Sequence, residues 1–235
     1  ALKRTLTTMK LKAIILGLFL SSHIISYGQN SNALFIDEFN VSINRSTLKD
    51  DNTEDRYGFG LGTYHSFLPD KKINLVLGFE YNRTSQFKKY MYEGHYASAT
   101  DLIYHINCFY IPFGLRLNMG SKTKFFIETG GFADLTINSN RTGTMHTYLP
   151  DENNQISYKE SEIDEKIGLS NSLGFYIGIG IRIPISRFDL IVKPDYKFGI
   201  NKLYSYQDEI FNRYFRINIG LRINKQMSKP RIDNG

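Results

Sequence analysis

Apolar and polar residues alternate with a period of two through most of the chain after residue 32. Such alternation predicts β-strands whose two faces meet different environments. The clearest run covers residues 173–185, where the odd positions carry Leu, Phe or Ile and the even positions carry Gly, Tyr, Arg or Pro. Three glycines and a proline inside this run make a helix implausible.

The same alternation predicts eight strands. They cover about residues 34–45, 57–68, 73–81, 109–117, 125–137, 173–185, 190–200 and 215–223. Short connections at 69–71, 120–122 and 186–187 alternate with longer ones at about 46–56, 85–101, 139–170 and 203–209. Short turns on one rim and long loops on the other are typical of bacterial outer-membrane barrels, whose long loops are extracellular. We therefore predict an all-β fold: an eight-stranded antiparallel up-and-down transmembrane β-barrel with both termini periplasmic.

Alternation alone leaves open whether the apolar face meets lipid or a soluble core. A lipocalin-like barrel would place the apolar residues inside. The polar face of this chain is rich in Gly, Tyr and Pro, which would coat a soluble protein poorly but could fill a narrow lumen. The strongest apolar runs contain no Lys or Glu. We therefore predict that the apolar face meets lipid.

With this orientation, six acidic and six basic residues point into the lumen. They are Glu38, Glu80, Glu128, Asp134, Asp189, Asp195, Arg116, Arg182, Lys193, Lys197, Arg216 and Arg222. An eight-stranded barrel has just enough interior to be filled by side chains, and charges enclosed there must be paired. We predict a plugged barrel with an internal salt-bridge network, in which Arg182 pairs with Asp189 across the turn at Ser186.

The first 28 residues have the features of a secretion signal. Basic residues precede the apolar run 13–20, and small residues follow at Ser26 and Gly28, which predicts cleavage after Gly28. The apolar run is too short for an ordinary spanning helix, although a retained anchor is the alternative. We assign residues 1–28 to an upstream extension and signal, with Met9 as a candidate start, 29–224 to the barrel, and 225–235 to a polar periplasmic tail.

Charge and cysteine content exclude two classes of function. The formal net charge is +6, but four of the 29 basic residues precede the signal's apolar run, leaving 25 against 23 acidic residues. A body so nearly neutral lacks the basic footprint of a nucleic-acid-binding protein. Cys108 is the only cysteine, so neither an intrachain disulfide nor a multi-cysteine metal site can form. We expect no nucleic acid, metal or cofactor.

Two exposed groups are candidates for contact with partners. The first is the aromatic and basic connection near residues 87–96, which suits a binding surface or, equally, an aromatic belt at the lipid edge. Its candidate residues are Lys88, Lys89, Tyr90, Tyr92, His95 and Tyr96. The second is a set of basic residues at strand ends, which could form a collar for lipopolysaccharide phosphates or could simply suit strand ends. These are Arg45, Arg83, Arg141 and Lys202.

We identify no catalytic residues. His65 and Ser66 are the residue types of a nucleophilic pair, but neighbours in a strand point to opposite faces and cannot form a hydrogen-bonded dyad. No histidine pair has metal-ligand spacing. We therefore expect that the protein is not an enzyme.

The region from about residue 34 to 224 resembles the PorT-like outer-membrane barrel domain of Bacteroidetes. The resemblance is carried by the Tyr-Gly-Gln ending of the signal at 27–29, by Phe-Tyr-Ile-Pro-Phe-Gly-Leu-Arg at 109–116, and by Gly-Leu-Arg-Ile at 220–223. It implies a Gram-negative outer-membrane location, and some members belong to a protein-secretion machinery. We expect a structural or interaction role through lipid, lipopolysaccharide or a protein partner. The alternatives are a small-solute channel and a lipid-modifying enzyme.

Overall fold

The computed structural model describes residues 36–46, 53–69, 71–150, 155–204 and 210–223. The chain divides into two compact units, Ala1–Asp37 and Glu38–Gly235, and the second contains the β-structure. The predicted signal and the predicted polar tail lie outside the described residues, so both stay predictions. In the part of the chain that is described, no helix is long and apolar enough to cross a membrane.

Ten strands are present among the described residues. They are β1 (Glu38–Ser46), β2 (Thr53–Glu54), β3 (Tyr57–Ser66), β4 (Ile73–Gly94), β5 (Ala97–Met119), β6 (Lys124–Pro150), β7 (Ile156–Lys166), β8 (Ser172–Ile185), β9 (Phe188–Tyr204) and β10 (Ile210–Ile223). Eight of them form a ring in the order β1-β3-β4-β5-β6-β8-β9-β10, and β10 pairs back to β1. Every neighbouring pair in the ring is antiparallel. The predicted eight-stranded antiparallel barrel is confirmed.

Most apolar residues of the barrel strands face outward. In β8, Ile177 and Ile179 are 58% and 62% exposed, while the residues that alternate with them, such as Tyr176 and Gly178, are buried in the interior. The same arrangement repeats around the ring, and the fully buried side chains of the interior are largely charged, polar or tyrosine. A soluble barrel of the lipocalin type would bury these isoleucines. Their exposure on the outer surface is the arrangement of a transmembrane β-barrel, whose outer surface contacts lipid.

Three strands continue well past the apolar belt. In β4 the outward apolar residues cover 73–81 and in β5 they cover 109–119, which matches the 9–11 residues that cross a bilayer. The rest of β4 and β5, together with residues 138–150 of β6 and the whole of β7, forms an antiparallel sheet beyond that belt, which we call the extension.

Two of the predicted loops, at about 85–101 and 139–170, are wrong because most of their residues form strands of the extension. Residues 85–94, 97–101, 139–150 and 156–166 were expected in loops but are strands, and the β4–β5 connection is only the turn at His95 and Tyr96. The physical reason is that no lipid covers one side of these segments, so their strands carry no simple apolar alternation. Ten of the eleven residues of β7 are exposed, for example.

Candidate functional site

The barrel interior contains all twelve charged residues that the alternation placed there. Each is at most 7% exposed, and the set is electrically balanced: Glu38, Glu80, Arg116, Glu128, Asp134, Arg182, Asp189, Lys193, Asp195, Lys197, Arg216 and Arg222. They reach the interior because they occupy the strand positions that alternate with the outward apolar residues.

Ion pairs near one end of the lumen connect both neighbouring strands and strands that are not neighbours in the ring. Arg116 on β5 places its Nε 2.6 Å from Glu128 on β6 and its Nη1 3.2 Å from Glu38 on β1. The Nζ of Lys193 lies 2.7 Å from the other oxygen of Glu128. Glu128 is therefore held between two cations, and the β5–β1 pair crosses the lumen.

The chain of charges continues from Lys193 to Arg216. Lys193 Nζ is 3.7 Å from Asp195, whose two oxygens accept bonds of 3.0 and 2.8 Å from Arg216. Arg216 also donates to both oxygens of Glu80, at 2.9 and 2.8 Å. Its guanidinium carbon lies 4.8 Å from the ring centroid of Tyr110. Seven charges thus form one connected network, in which the bonds to Asp195 and Glu80 satisfy the enclosed guanidinium of Arg216.

Lys197 occupies an aromatic box farther along the lumen. Its Nζ lies 2.9 Å from the ring centroid of Tyr110 and 4.7 Å from that of Tyr214, and it donates to the Tyr214 hydroxyl. Asp134 lies 4.0 Å away and also accepts a hydrogen bond from Asn212. Cation–π contacts and one carboxylate together compensate this ammonium.

Arg182 and Asp189 meet near the short turn between β8 and β9. Their Nε and Oδ2 atoms are 3.5 Å apart, and both side chains are about nine-tenths buried. Ser186, with a φ of 53°, lies in the two-residue turn between them. Arg222 is also buried at this end of the barrel, where β10 pairs with β9 at Asp189.

An apolar cluster closes the lumen at the end that bears the extension. Its buried members come from β4, β5, β7 and β9, and β4 and β9 lie on opposite sides of the ring. They are Met91, Ala99, Leu102, Tyr104, Ile106, Ile163 and Leu203. Together with the charged network, this cluster fills much of the interior with buried side chains in the part of the barrel that the structure describes.

The predicted contact residues lie on the extension. Lys88, Lys89, Tyr90 and Tyr92 are in strand β4, contrary to the loop prediction, and only His95 and Tyr96 lie in a turn. Tyr92 and Tyr96 are 68% and 61% exposed.

Three residues that the sequence did not single out extend this aromatic surface onto β6 and β7. The ring of Tyr158 lies 5.3 Å from Tyr148 and stacks at 6.0 Å on His146. The hydroxyl of Tyr158 contacts the Nδ1 of His146 at 2.7 Å. The sequence alone does not reveal this group, because Tyr148 and Tyr158 come together only through the register between β6 and β7. We call Tyr90, Tyr92, His146, Tyr148 and Tyr158 the tyrosine face.

The predicted basic collar is wrong in part. Arg141 points inward and pairs with Glu93 and Glu165, because Ile137 is an extra residue in β6 that shifts the register with β5 and reverses the faces beyond it. Arg45 faces outward but pairs with Asp55.

The other two collar residues, Arg83 and Lys202, are exposed. Arg83 lies two residues after Tyr81 of β4, and Lys202 lies two residues after the exposed Ile200 of β9, so both are directly beyond the outward apolar residues of their strands.

The adjacent residues His65 and Ser66 lie on opposite faces of β3. The ring of His65 packs at 4.7 Å against Phe67, whereas Ser66 is buried. A serine–histidine contact occurs elsewhere: Ser85 Oγ lies 3.1 Å from His105 Nδ1 across the β4–β5 pair. Ser85 is only 7% exposed, which leaves its hydroxyl poorly placed to attack a substrate.

Comparisons with known proteins give similarity to solved barrels only. No family model matches the chain, and no curated protein matches it. Neisserial surface protein A is 11% identical over 79% of this chain and 95% of its own, with a TM-score of 0.39. Ail, the attachment invasion locus protein of Yersinia pestis, is 12% identical over 80% and 98%, with a TM-score of 0.36.

The N-terminal β-barrel domain of Pseudomonas aeruginosa OprF gives similar values: 12% identity, 80% of this chain, 97% of the domain, and a TM-score of 0.32. Similarity at this level assigns no family and no activity. The strand pairing and the outward apolar face of this chain are what identify it as a transmembrane β-barrel.

Proposed function

We propose that the protein resides in the bacterial outer membrane and has a structural or interaction role, with the extension presenting the tyrosine face to a partner outside the cell. The observation that carries this proposal is the pairing of a filled lumen with an exposed aromatic surface beyond the apolar belt. Tyrosine is enriched in binding surfaces because its rigid ring offers contact area and its hydroxyl offers a hydrogen bond.

The distance of the tyrosine face from the bilayer favours a partner over a lipid-edge belt. Tyr90 is nine residues beyond Tyr81, the last belt residue of β4. At about 3.3 Å per residue this is about 30 Å along the strand, or about 20 Å along the normal for a strand tilted by about 45°. Headgroup regions extend only about 5–8 Å beyond the hydrocarbon on each side, so Tyr90 and Tyr92 would lie in the aqueous phase.

A small-solute channel is the alternative that the geometry favours less. The charged network and the apolar cluster occupy the lumen from the Arg182 end to Leu203. Purified protein in planar bilayers should show no steady single-channel conductance, and a reproducible open level would replace the interaction role with transport. A lipid-modifying enzyme and membership of a PorT-like secretion machinery are the remaining interpretations, and we propose neither as the primary role.

Site-specific photocrosslinking in intact cells tests the proposal. A photoreactive phenylalanine analogue at Tyr92 should give a discrete protein adduct. The matched control is the same analogue at Phe113, which is 55% exposed on the apolar belt and should contact lipid. The absence of an adduct at Tyr92, or the same adduct at both positions, would contradict a partner at the tyrosine face.

A further inference from the structure

Three nitrogen-bearing side chains gather on the outer surface immediately beyond the apolar belt. Arg83 is directly opposite Phe59 of β3, and His105 is directly opposite Ser85, the next outward position of β4. Arg56 precedes β3 and places its guanidinium carbon 4.9 Å from the ring centroid of Phe87 on β4. Burial lowers the pKa of His105, and the charges of Arg83 and Arg56 lower it further. The three groups therefore share one electropositive area.

The described acidic side chains beside this area, Glu54 and Asp55, are close to other bases. Asp55 pairs with Arg45, and Glu54 lies 3.8 Å from Lys89. Within the described ranges, no carboxylate pairs with the guanidinium of Arg56 or Arg83. The Nε of Arg56 is also buried without a hydrogen-bond acceptor from the described part of the protein. Two arginines that both act on His105, and that no described carboxylate neutralises, form a site suited to an anion.

The surface on the bilayer side of this area is aromatic and aliphatic. Phe59 and Leu61 on β3 are 48% and 62% exposed, and Phe79 stacks on Phe109 at 4.9 Å. The hydroxyl of Tyr81 donates to Asn107 at 2.7 Å, where the apolar surface changes to polar. An acyl chain would contact the apolar part while an anionic headgroup lay at the arginines.

We propose that Arg56 and Arg83, with His105 beside them, bind the phosphate of an outer-leaflet lipid of the lipid A type. Arginine suits this ligand because its planar guanidinium pairs bidentately with phosphate oxygens. The imidazole of His105 can add one hydrogen bond. This inference rests on the proposed outer-membrane location and replaces the four-residue collar with one site on β2–β5. The amphipathic arrangement favours a lipid phosphate over a soluble one.

The test compares Arg56→Gln/Arg83→Gln with Lys122→Gln/Arg187→Gln, a double variant that removes the same charge at the opposite rim. Lys122 and Arg187 are both exposed, in the short turns at that rim. Each protein is placed in phosphatidylcholine nanodiscs that contain increasing amounts of lipid A, and bound lipid A is counted by native mass spectrometry. We expect about fivefold weaker binding for each arginine removed, and a control within about twofold of the unaltered protein.

Two further probes separate the sources of phosphate. The first probe is dephosphorylated lipid A, which should bind to the unaltered protein as weakly as lipid A binds to the double variant. The second is inorganic phosphate, which should not displace lipid A when both are present at the same concentration. Equal binding by the double variant, equal binding of the dephosphorylated lipid, or effective competition by inorganic phosphate would each overturn the proposed lipid site.

Folding is monitored separately by the migration of unheated samples on gels, which distinguishes folded from unfolded barrels. If the unaltered protein did not insert into nanodiscs at all, the proposed location itself would fail. If it inserted but did not prefer lipid A, only the lipid site would fail.

Discussion

Replacing Arg216 by Gln should be among the most damaging single changes in the barrel. Arg216 is fully buried and makes four hydrogen bonds to the carboxylates of Glu80 and Asp195. The amide of the substituted glutamine carries no positive charge. The buried carboxylates of Glu80 and Asp195 would therefore lose the cation that neutralises them. Removing one partner of a buried ion pair costs about 3–5 kcal/mol because the remaining charge stays desolvated.

The assay is urea unfolding in lipid vesicles, with the folded fraction read from the migration of unheated samples. Intrinsic tryptophan fluorescence cannot be used because the chain has no Trp. Arg213→Gln is the matched control, since Arg213 lies on the outer face of the same strand and packs on Phe198 and Phe211 at 4.1 and 4.3 Å. We expect the control to lose about 1 kcal/mol or less.

Restoring charge balance provides the internal check. The double variant Arg216→Gln/Glu80→Gln removes one charge of each sign, and the altered residue 80 can still bond to Ser42 and Tyr64, the present partners of Glu80. It should therefore be more stable than Arg216→Gln alone, and the difference should change little between low and high salt because the network is enclosed. Equal losses for the Arg216 and Arg213 variants, or no recovery in the double variant, would refute a stabilising role for the network.

Three further predictions test the orientation and packing of the barrel. Ile179→Arg should lower the free energy of unfolding in vesicles by about 2–4 kcal/mol if Ile179 faces the middle of the bilayer, and no measurable loss would argue against lipid at this face. Gly130→Ala should destabilise by about 1–3 kcal/mol because its new Cβ would lie 2.2 Å from the Phe113 carbonyl oxygen, whereas Gly131→Ala has its nearest neighbour at 3.7 Å and should change little; unfolding in urea compares the two. Cys108, which is completely buried, should resist a charged maleimide until urea unfolds the protein, and rapid labelling of the folded form, read by mass spectrometry, would reveal water in the lumen.

The barrel could be predicted from the sequence because contact with lipid requires an apolar side chain at every second position of a membrane-spanning strand. The run from Leu173 to Ile185 shows this best, because its alternating isoleucines and its intervening Gly, Tyr and Arg predict the outward and inward faces that the barrel has. The inward positions of the charged residues follow from the same rule, which holds wherever a strand has lipid on one side and the lumen on the other.

Beyond the bilayer the rule fails for two physical reasons. Water meets the outer side of the extension, so segments such as β7 need no apolar face and look like loops in the sequence. Bulges also change which face a residue occupies, and one extra residue, Ile137, is enough to turn Arg141 from the surface to the interior. The cluster of Arg56, Arg83 and His105 was missed because it depends on pairing among three strands and not on a local motif.

The cross-lumen ion pairs constrain the order in which this barrel can assemble. Glu80 and Arg216 are 136 positions apart in the chain, and Glu38 and Arg116 are 78 apart. A hairpin that entered the bilayer alone would carry an uncompensated charge, because the residue that neutralises it would still lie outside the bilayer. Stepwise insertion of single hairpins is therefore disfavoured, and closure of β1 on β10 should coincide with neutralisation of the interior. A chain that lacks β10 should stall at the membrane surface.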